Sequence, residues 1–330
     1  MPAPEPADRK GVKARICSIQ RLSTEDGPGI RTTVFFAGCP LACRWCQNPE
    51  TRSSRFEIQW FSTRCIGCRT CATACAQRCV SVDSAGVHVE RERCTGCGQC
   101  AEACPSHALE LTGRTVTVME LADELERDRI YYEHSGGGVT LSGGEPLAQP
   151  AFTAHLLERL ARAGIPTALD TCGMAPVAAL SPALARAALV LYDLKVMDPR
   201  AHRALTGQPN ETILANFAVV VETVRRRDRP VSLWVRTPLV PGATATRENL
   251  LSIGGFLASA APNEVERWEL CAFNNLCRDK YVRLGRTWEY AQTPLLEKGE
   301  LDELTDCARC SGVNPSIVCV TGAARARAGV

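Results

Sequence analysis

Nineteen of the 330 residues are cysteine, and most of them are grouped. Cys65, Cys68, Cys71 and Cys75 are spaced C-x2-C-x2-C-x3-C, and the same spacing returns in Cys94, Cys97, Cys100 and Cys104. Cys39, Cys43 and Cys46 form a third group, C-x3-C-x2-C. A secreted disulfide scaffold would be shorter, would follow an apolar signal segment and would not cluster its thiols in this way. Residues 1–10 are rich in Pro and Ala without an apolar core, so they read as a disordered leader. In a reducing compartment, grouped thiolates are soft ligands for iron or zinc, and a cytoplasmic location is expected.

Hydrophobic residues make up 45% of the chain, enough for a sizeable core. Lys and Arg total 38 against 36 Asp and Glu, a net charge of +2. That balance carries no footprint for nucleic acid or an anionic membrane. The basic run at Arg225, Arg226 and Arg227 reads as a solvated helix end. No stretch of about 18 apolar residues exists to span a bilayer.

The doubled eight-cysteine pattern is the bacterial two-cluster ferredoxin spacing, in which the fourth cysteine of each run ligates the other cluster. Cys65, Cys68, Cys71 and Cys104 are therefore expected to hold one 4Fe-4S cube, and Cys94, Cys97, Cys100 and Cys75 the second. A zinc ribbon would leave half of these thiolates unexplained. Ala76 stands where a proline is usual, and Cys79 is left over, either as a buried inert thiol or as a swapped ligand.

Three thiolates such as Cys39, Cys43 and Cys46 can hold three irons of a cube and leave the fourth without a protein ligand. A centre that transforms a substrate needs such a position. On spacing alone, a zinc site completed by a distant Cys or His is the alternative.

The rest of the chain alternates strand and helix patterns. Strands are predicted over residues 14–21, 32–37, 139–142, 167–170, 189–194, 231–237 and 265–270. Helices are predicted over 118–129, 151–163, 183–187, 213–226 and 247–260, and short valine segments lie at 80–82 and 87–89. Such alternation implies a parallel sheet, open or rolled into a partial barrel. Reactive groups in such sheets sit at the carboxyl ends of strands. Those ends here carry Gly143, Gly144 and Glu145, then Asp170, then Asp193, Leu194 and Lys195, then Arg236.

The stretch from Asp26-Gly-Pro-Gly-Ile-Arg31 through Cys39, Cys43, Cys46 and Glu50 resembles the activating enzymes of glycyl radical enzymes, within the radical SAM superfamily. The resemblance continues through Ser135 to Pro146, Leu169-Asp-Thr-Cys-Gly173, Tyr192-Asp-Leu-Lys195, Val235 to Gly242 and Asp279-Lys-Tyr281. It spans roughly residues 14–290 with all motifs in order. It implies a partial (β/α)6 TIM-like barrel, residues 14–57 and 113–305, with a dicluster ferredoxin-like insert at 58–112. A leader at 1–13 and a cysteine-containing tail at 306–330 flank these.

The resemblance also implies roles. A cluster on Cys39, Cys43 and Cys46 would chelate the amino and carboxylate groups of S-adenosylmethionine. Trp45, Cys46 and Gln47 match the stretch along the nucleoside. Gly143, Gly144 and Glu145 match the segment that receives the methionine amino group. Asp170, Asp193, Leu194 and Lys195 match further contacts, and Arg236 a basic group near the carboxylate. One-electron reduction would yield methionine and a 5′-deoxyadenosyl radical, which takes a hydrogen atom from a glycine of the partner enzyme. Three 4Fe-4S clusters are then expected, the two in the insert relaying electrons from a flavodoxin, ferredoxin or reductase. A structural role or a partner-docking role for the insert is the alternative. The chain is expected to be monomeric by itself.

The match has departures. Relatives often carry Leu-Pro-Tyr-His where this chain reads Cys271-Ala-Phe-Asn274; Asn274 can donate a hydrogen bond but cannot titrate. Cys172 replaces an Asn. Gly136, Gly137 and Gly138 read as a tight turn before a strand. Cys307, Cys310 and Cys319, with Cys271 and Cys277, leave a further metal site open, whereas Cys17 reads as core. His88, His107, His134, His155 and His202 show no ligand spacing. Two other readings are a radical enzyme acting on a small molecule or peptide, and a non-catalytic electron carrier. The intact three-cysteine motif and Gly143-Gly-Glu-Pro146 argue against the carrier.

Overall fold

The computed structural model describes residues 11–226 and 230–325. The leader residues 1–10 and Arg227 lie outside the described residues. The chain enters through β1 (Lys13–Ser23) and β2 (Arg31–Phe36), then leaves for the cysteine-rich insert. The insert holds β3 (Ile58–Trp60), α1 (Thr70–Ala74), the hairpin β4 (Val80–Asp83) and β5 (Gly86–Val89), α2 (Gln99–Glu102) and β6 (Leu109–Leu111). The chain returns through β7 (Arg114–Thr117) into α3 (Val118–Glu126) and α4 (Arg129–Ser135). Strand and helix then alternate: β8 (Gly138–Gly143), α5 (Pro150–Arg162), β9 (Thr167–Thr171), α6 (Val177–Leu184) and β10 (Leu189–Asp193). After α7 (Pro199–Thr206) and α8 (Glu211–Arg226) come β11 (Ser232–Leu239), α9 (Arg247–Ala260) and β12 (Val265–Ala272). Last are α10 (Arg278–Arg283), α11 (Lys298–Arg309) and β13 (Val318–Thr321).

Nine strands form one sheet in the order β13-β12-β11-β10-β9-β8-β2-β1-β7. From β2 to β13 every neighbour is parallel, and β1 runs antiparallel to both β2 and β7. The helices cover one face of this array, where Leu156, Leu157, Leu160, Phe217, Ile253 and Leu257 are buried against Val139, Leu141, Val190 and Leu233. Because both faces of the central strands are covered, β8 to β10 are buried along almost their whole length. In β11 the alternation is kept: Leu233, Val235, Thr237 and Leu239 face the helices, and Trp234 and Arg236 the concave side.

Several boundaries differ from the sequence expectation. The helix expected over 118–129 stops at Glu126, because Asp128 turns in to accept from Thr32 Oγ1 at 2.8 Å and from Arg21. The helix expected at 183–187 starts earlier, at Val177, and tolerates Pro182 within it. Residues 306–325, expected as a tail, are part of the barrel: Cys307 and Ala308 of α11 are buried in the main core, and Val318 pairs with Trp268. The leader boundary shifts as well, since Lys13 already pairs with Thr117.

The first glycine motif has a packing cause. Gly29 sits at φ +69°, and a Cβ there would lie 2.5 Å from the nitrogen of Gly137. The turn before β2 and the turn before β8 thus interlock backbone to backbone, beyond the simple tight turn expected at Gly136–Gly138. Arg31, at the base of that contact, is 2% exposed and donates to Thr140 Oγ1 at 2.6 Å and to the Val139 carbonyl at 2.8 Å. Burial pushes its guanidinium down to about 10.

Candidate metal centre and cofactor site

Cys39, Cys43 and Cys46 lie on the loop that follows β2. That loop is held on both sides by backbone bonds. Cys39 donates to the Arg52 carbonyl (3.2 Å), and Ala42 and Arg44 donate to Thr206 and Leu205 at the end of α7 (2.7 and 3.1 Å). From α10, Tyr281 donates its hydroxyl to the Cys46 carbonyl at 2.8 Å; beyond the end of that helix, Trp288 Nε1 donates to the Arg44 carbonyl at 3.0 Å. The two rings stack at 5.0 Å with 10° between planes. Lys280 Nζ bridges Asn48 Oδ1 and Glu50 Oε1 at 2.8 and 2.7 Å. Two members of the Asp279-Lys-Tyr281 motif therefore brace the cysteine loop, while Asp279 is exposed.

Burial pushes the Cys43 thiol up to about 12 and Cys46 to about 11. Cys39 goes the other way, because the buried thiol of Cys172 donates to it. Desolvated thiols of this kind ionise when a bound metal supplies the positive charge. Three of them on one braced loop are a donor set suited to soft iron.

The turn after β8 packs directly on that loop. Gly144 donates to the Phe36 carbonyl and Glu145 to the Gly38 carbonyl, both at 2.9 Å. A Cβ on Gly144 would stand 2.3 Å from the Gly38 oxygen. The Glu145 carboxylate points inward, fully buried. It accepts from Thr171 Oγ1 (2.9 Å), Cys172 N (2.9 Å) and Leu147 N (3.0 Å), tying the ends of β8 and β9 together. The backbone of this turn, and not the Glu145 side chain, is what faces the cysteine loop.

The remaining predicted residues gather at the ends of β9 to β12. The register aligns Asp193, Arg236, Glu269 and Cys319 in one row across four adjacent strands. Arg236 Nη1 lies 3.7 Å from Asp170 and 3.8 Å from Asp26, and its Nε lies 3.2 Å from Glu269. Asp170 accepts from Ser142 Oγ at 2.5 Å, and burial pushes its carboxyl up to about 7 against the pull of Arg236. Lys195 Nζ meets Asp193 Oδ2 at 2.5 Å; burial opposes its charge, but Asp193 holds it strongly protonated. Leu194 is buried beside them. Gln47 Nε2 donates to the Asn274 carbonyl at 2.8 Å, and Asn274 Oδ1 accepts from Leu276 N at 3.2 Å, bracing its own turn. Trp45 packs with Phe273, Tyr281, Trp288 and Tyr290.

Sequence reading missed Glu269, which is 3% exposed and takes Arg236 and Arg267 together. Its signal was a carboxylate between Trp268 and Leu270 in an otherwise apolar strand. Cys172 was noted as a departure but not as a partner of Cys39.

In the insert, Cys104 acts electrostatically on Cys68 and Cys71, whereas Cys100 feels Cys75, Cys94 and Cys97. Cys75, Cys94, Cys97 and Cys100 line one small cavity. Cys65 lies on the same loop as Cys68. The five cysteines left open as a further metal site do not converge on one point: Cys307 donates to the Arg247 carbonyl, Cys319 accepts from Arg267, Cys271 donates to the Glu269 carbonyl, Cys277 donates to the Cys46 carbonyl and Cys310 is exposed. Cys17 donates to the Glu50 carbonyl at 3.4 Å. His202 is buried against Gln208 and Thr206, and His88 pairs with exposed Asp83.

A partial parallel barrel with a thiol loop after its first parallel strand and a cysteine-rich ferredoxin-type insert defines a radical SAM enzyme. The 4Fe-4S dicluster domain family matches residues 64–117, and the 4Fe-4S single cluster domain family matches residues 25–65. Isethionate sulfite-lyase activating enzyme from Oleidesulfovibrio alaskensis is 42% identical over 274 residues, 82% of this chain and 86% of that protein. Trans-4-hydroxy-L-proline dehydratase activating enzyme from Clostridioides difficile is 35% identical over 303 residues, 92% of this chain and 98% of that protein. A crystallised domain of pyruvate-formate lyase-activating enzyme from Bacteroides vulgatus aligns with a TM-score of 0.45 and 28% identity, over 56% of this chain and 99% of that one. The chain belongs to the glycyl radical enzyme activating enzymes. Its activity is reductive cleavage of S-adenosylmethionine and hydrogen abstraction from a partner glycyl radical enzyme. Among the described residues, no helix is long and apolar enough to cross a membrane.

Proposed function

We propose that Cys39, Cys43 and Cys46 ligate the cluster at which S-adenosylmethionine binds, and that the insert carries two more, for three 4Fe-4S clusters in all. One cube would use Cys65, Cys68, Cys71 and Cys104, the other Cys94, Cys97, Cys100 and Cys75. The carrying observation is the meeting of the thiol loop with the Gly143-Gly144 backbone and the Arg236 charge array at one end of the sheet. When bound and reduced by one electron, the cofactor supplies a 5′-deoxyadenosyl radical.

The chain's own residues orient it. The backbone at Gly143 and Gly144 offers carbonyl acceptors to an ammonium group, and Arg236 offers a cation to a carboxylate. Asp170 and Asp193 present acceptors to hydroxyl groups, and Gln47, fixed on the Asn274 carbonyl, sets the wall along the nucleoside. Trp45 contributes through packing of that wall. The buried aromatic cluster keeps water away from the loop. A one-electron carrier such as flavodoxin or ferredoxin is the donor, and the protein is a cytoplasmic monomer before it meets its partner.

The test is electron paramagnetic resonance of a candidate partner after anaerobic incubation with this protein, reductant and S-adenosylmethionine. A glycyl radical signal is expected. Release of 5′-deoxyadenosine without any radical on the partner would defeat the pairing.

A further inference from the structure

Cys79 belongs to neither run of four, yet it is 3% exposed and its Sγ lies 3.5 Å from that of Cys75. It lines the same cavity as Cys75, Cys94, Cys97 and Cys100. The two halves of the insert repeat one local design, and they differ at this point. The Cys104 sulfur accepts from the amide of Ala108 at 3.2 Å, and the Ser106 hydroxyl stands 3.8 Å away. Around Cys75 the backbone amides of Gln77, Cys79 and Val80 converge on the sulfur in the same way. Residues two, four and five positions after the fourth cysteine thus serve both sulfurs. Four residues after the last cysteine of each run, the side chain is the methyl of Ala108 in one half and the thiol of Cys79 in the other. A cysteine sulfur that ligates iron does so as a thiolate and carries no hydrogen, so across the 3.5 Å contact the hydrogen belongs to Cys79.

We propose that Cys79 is not a ligand but a tuning residue, donating its S–H to the ligand sulfur of Cys75 and making that cube easier to reduce than its neighbour. The inference rests on the three-cluster reading above. A hydrogen bond to a ligand sulfur stabilises the more negative, reduced state and raises the reduction potential. The tuned cube borders the entry to the insert: Gly96, between its ligands, packs on the Phe56 carbonyl, and Cys94 borders a cleft with Ser53, Arg55 and Glu57. One electron given up by a reduced flavodoxin or ferredoxin would therefore rest on that cube.

The experiment is a potentiometric titration, followed by electron paramagnetic resonance, of anaerobically reconstituted wild type, Cys79→Ala and Cys79→Val, with iron counted in each. About twelve irons in all three are expected. In both variants one cube becomes about tenfold harder to reduce, ~59 mV for a one-electron couple, while the others hold. Loss of about four irons in both variants would make Cys79 a ligand, and unmoved or raised midpoints would remove its tuning role. Either result overturns the proposal. A wild type holding only about four irons would instead fail the three-cluster reading itself.

Discussion

Tyr281 donates to the backbone carbonyl of Cys46 at 2.8 Å, across 235 residues of sequence. The last thiol of the loop is thus held by a helix at the far end of the barrel. Tyr281→Phe keeps the stack on Trp288 and removes only this bond. A neutral hydrogen bond contributes about 1 kcal/mol, so iron release to a chelator should quicken about fivefold. An unchanged rate would mean that the stack alone holds the loop.

Cys43→Ala would remove one of the three ligands proposed for the cofactor-binding cluster. Iron should fall from about twelve to about eight per chain, and no 5′-deoxyadenosine should form under reducing conditions. Continued production of that nucleoside would overturn the catalytic assignment of the loop.

Cys172 donates its thiol to Cys39 and its amide to Glu145. Those bonds place it behind the loop as a support. Cys172→Ala should therefore keep the full iron content, about twelve per chain. A loss of about four would instead make Cys172 a ligand.

Asp170 carries the pH dependence that is easiest to sign. Its folded carboxyl titrates near 7 because it is buried, whereas an unfolded Asp titrates at about 3.9. Between those values the folded state holds the extra proton, so stability falls as pH rises from about 4 to 7. Below that window the penalty is absent, and above it the penalty is complete. In apo-protein thermal melts, Asp170→Asn should flatten the Tm-against-pH slope over this window; an unaltered slope would assign it to other groups.

Gly144→Ala forces a Cβ to within 2.3 Å of the Gly38 oxygen and 2.7 Å of the Thr51 oxygen, both backbone atoms. Overpacking of this kind costs about 1–3 kcal/mol. A lower apo-protein Tm is expected together with weakened S-adenosylmethionine binding by calorimetry. Wild-type values for both would show that the turn can move aside.

The strand–helix order and the thiol groups were legible because each is a local pattern. Residues 139–142 and 167–170 read as strands from their own side chains. The short strand at Arg114–Thr117 was not legible, since its assignment comes from pairing with Lys13–Ile16. Val318–Thr321 likewise becomes a strand by lying beside Trp268–Cys271. The site divides the same way. Glu145 was found from its motif, but its inward carboxylate depends on Thr171 and Cys172, which only folding brings near. Glu269 escaped notice for the same reason, as its partner Arg236 is on another strand.

The insert begins and ends at one point. Ile58 pairs with Leu111, Thr112 donates its amide to the Glu57 carbonyl at 2.8 Å, and Glu57 N donates to Thr112 Oγ1 at 2.7 Å. Arg286 then clasps Glu57 at 2.8 Å and the Pro49 carbonyl at 2.9 Å. A unit closed at its neck like this is a cassette. It can be gained, lost or exchanged over evolution by splicing at residues 57 and 112, with no strand of the main sheet forced to change its neighbour.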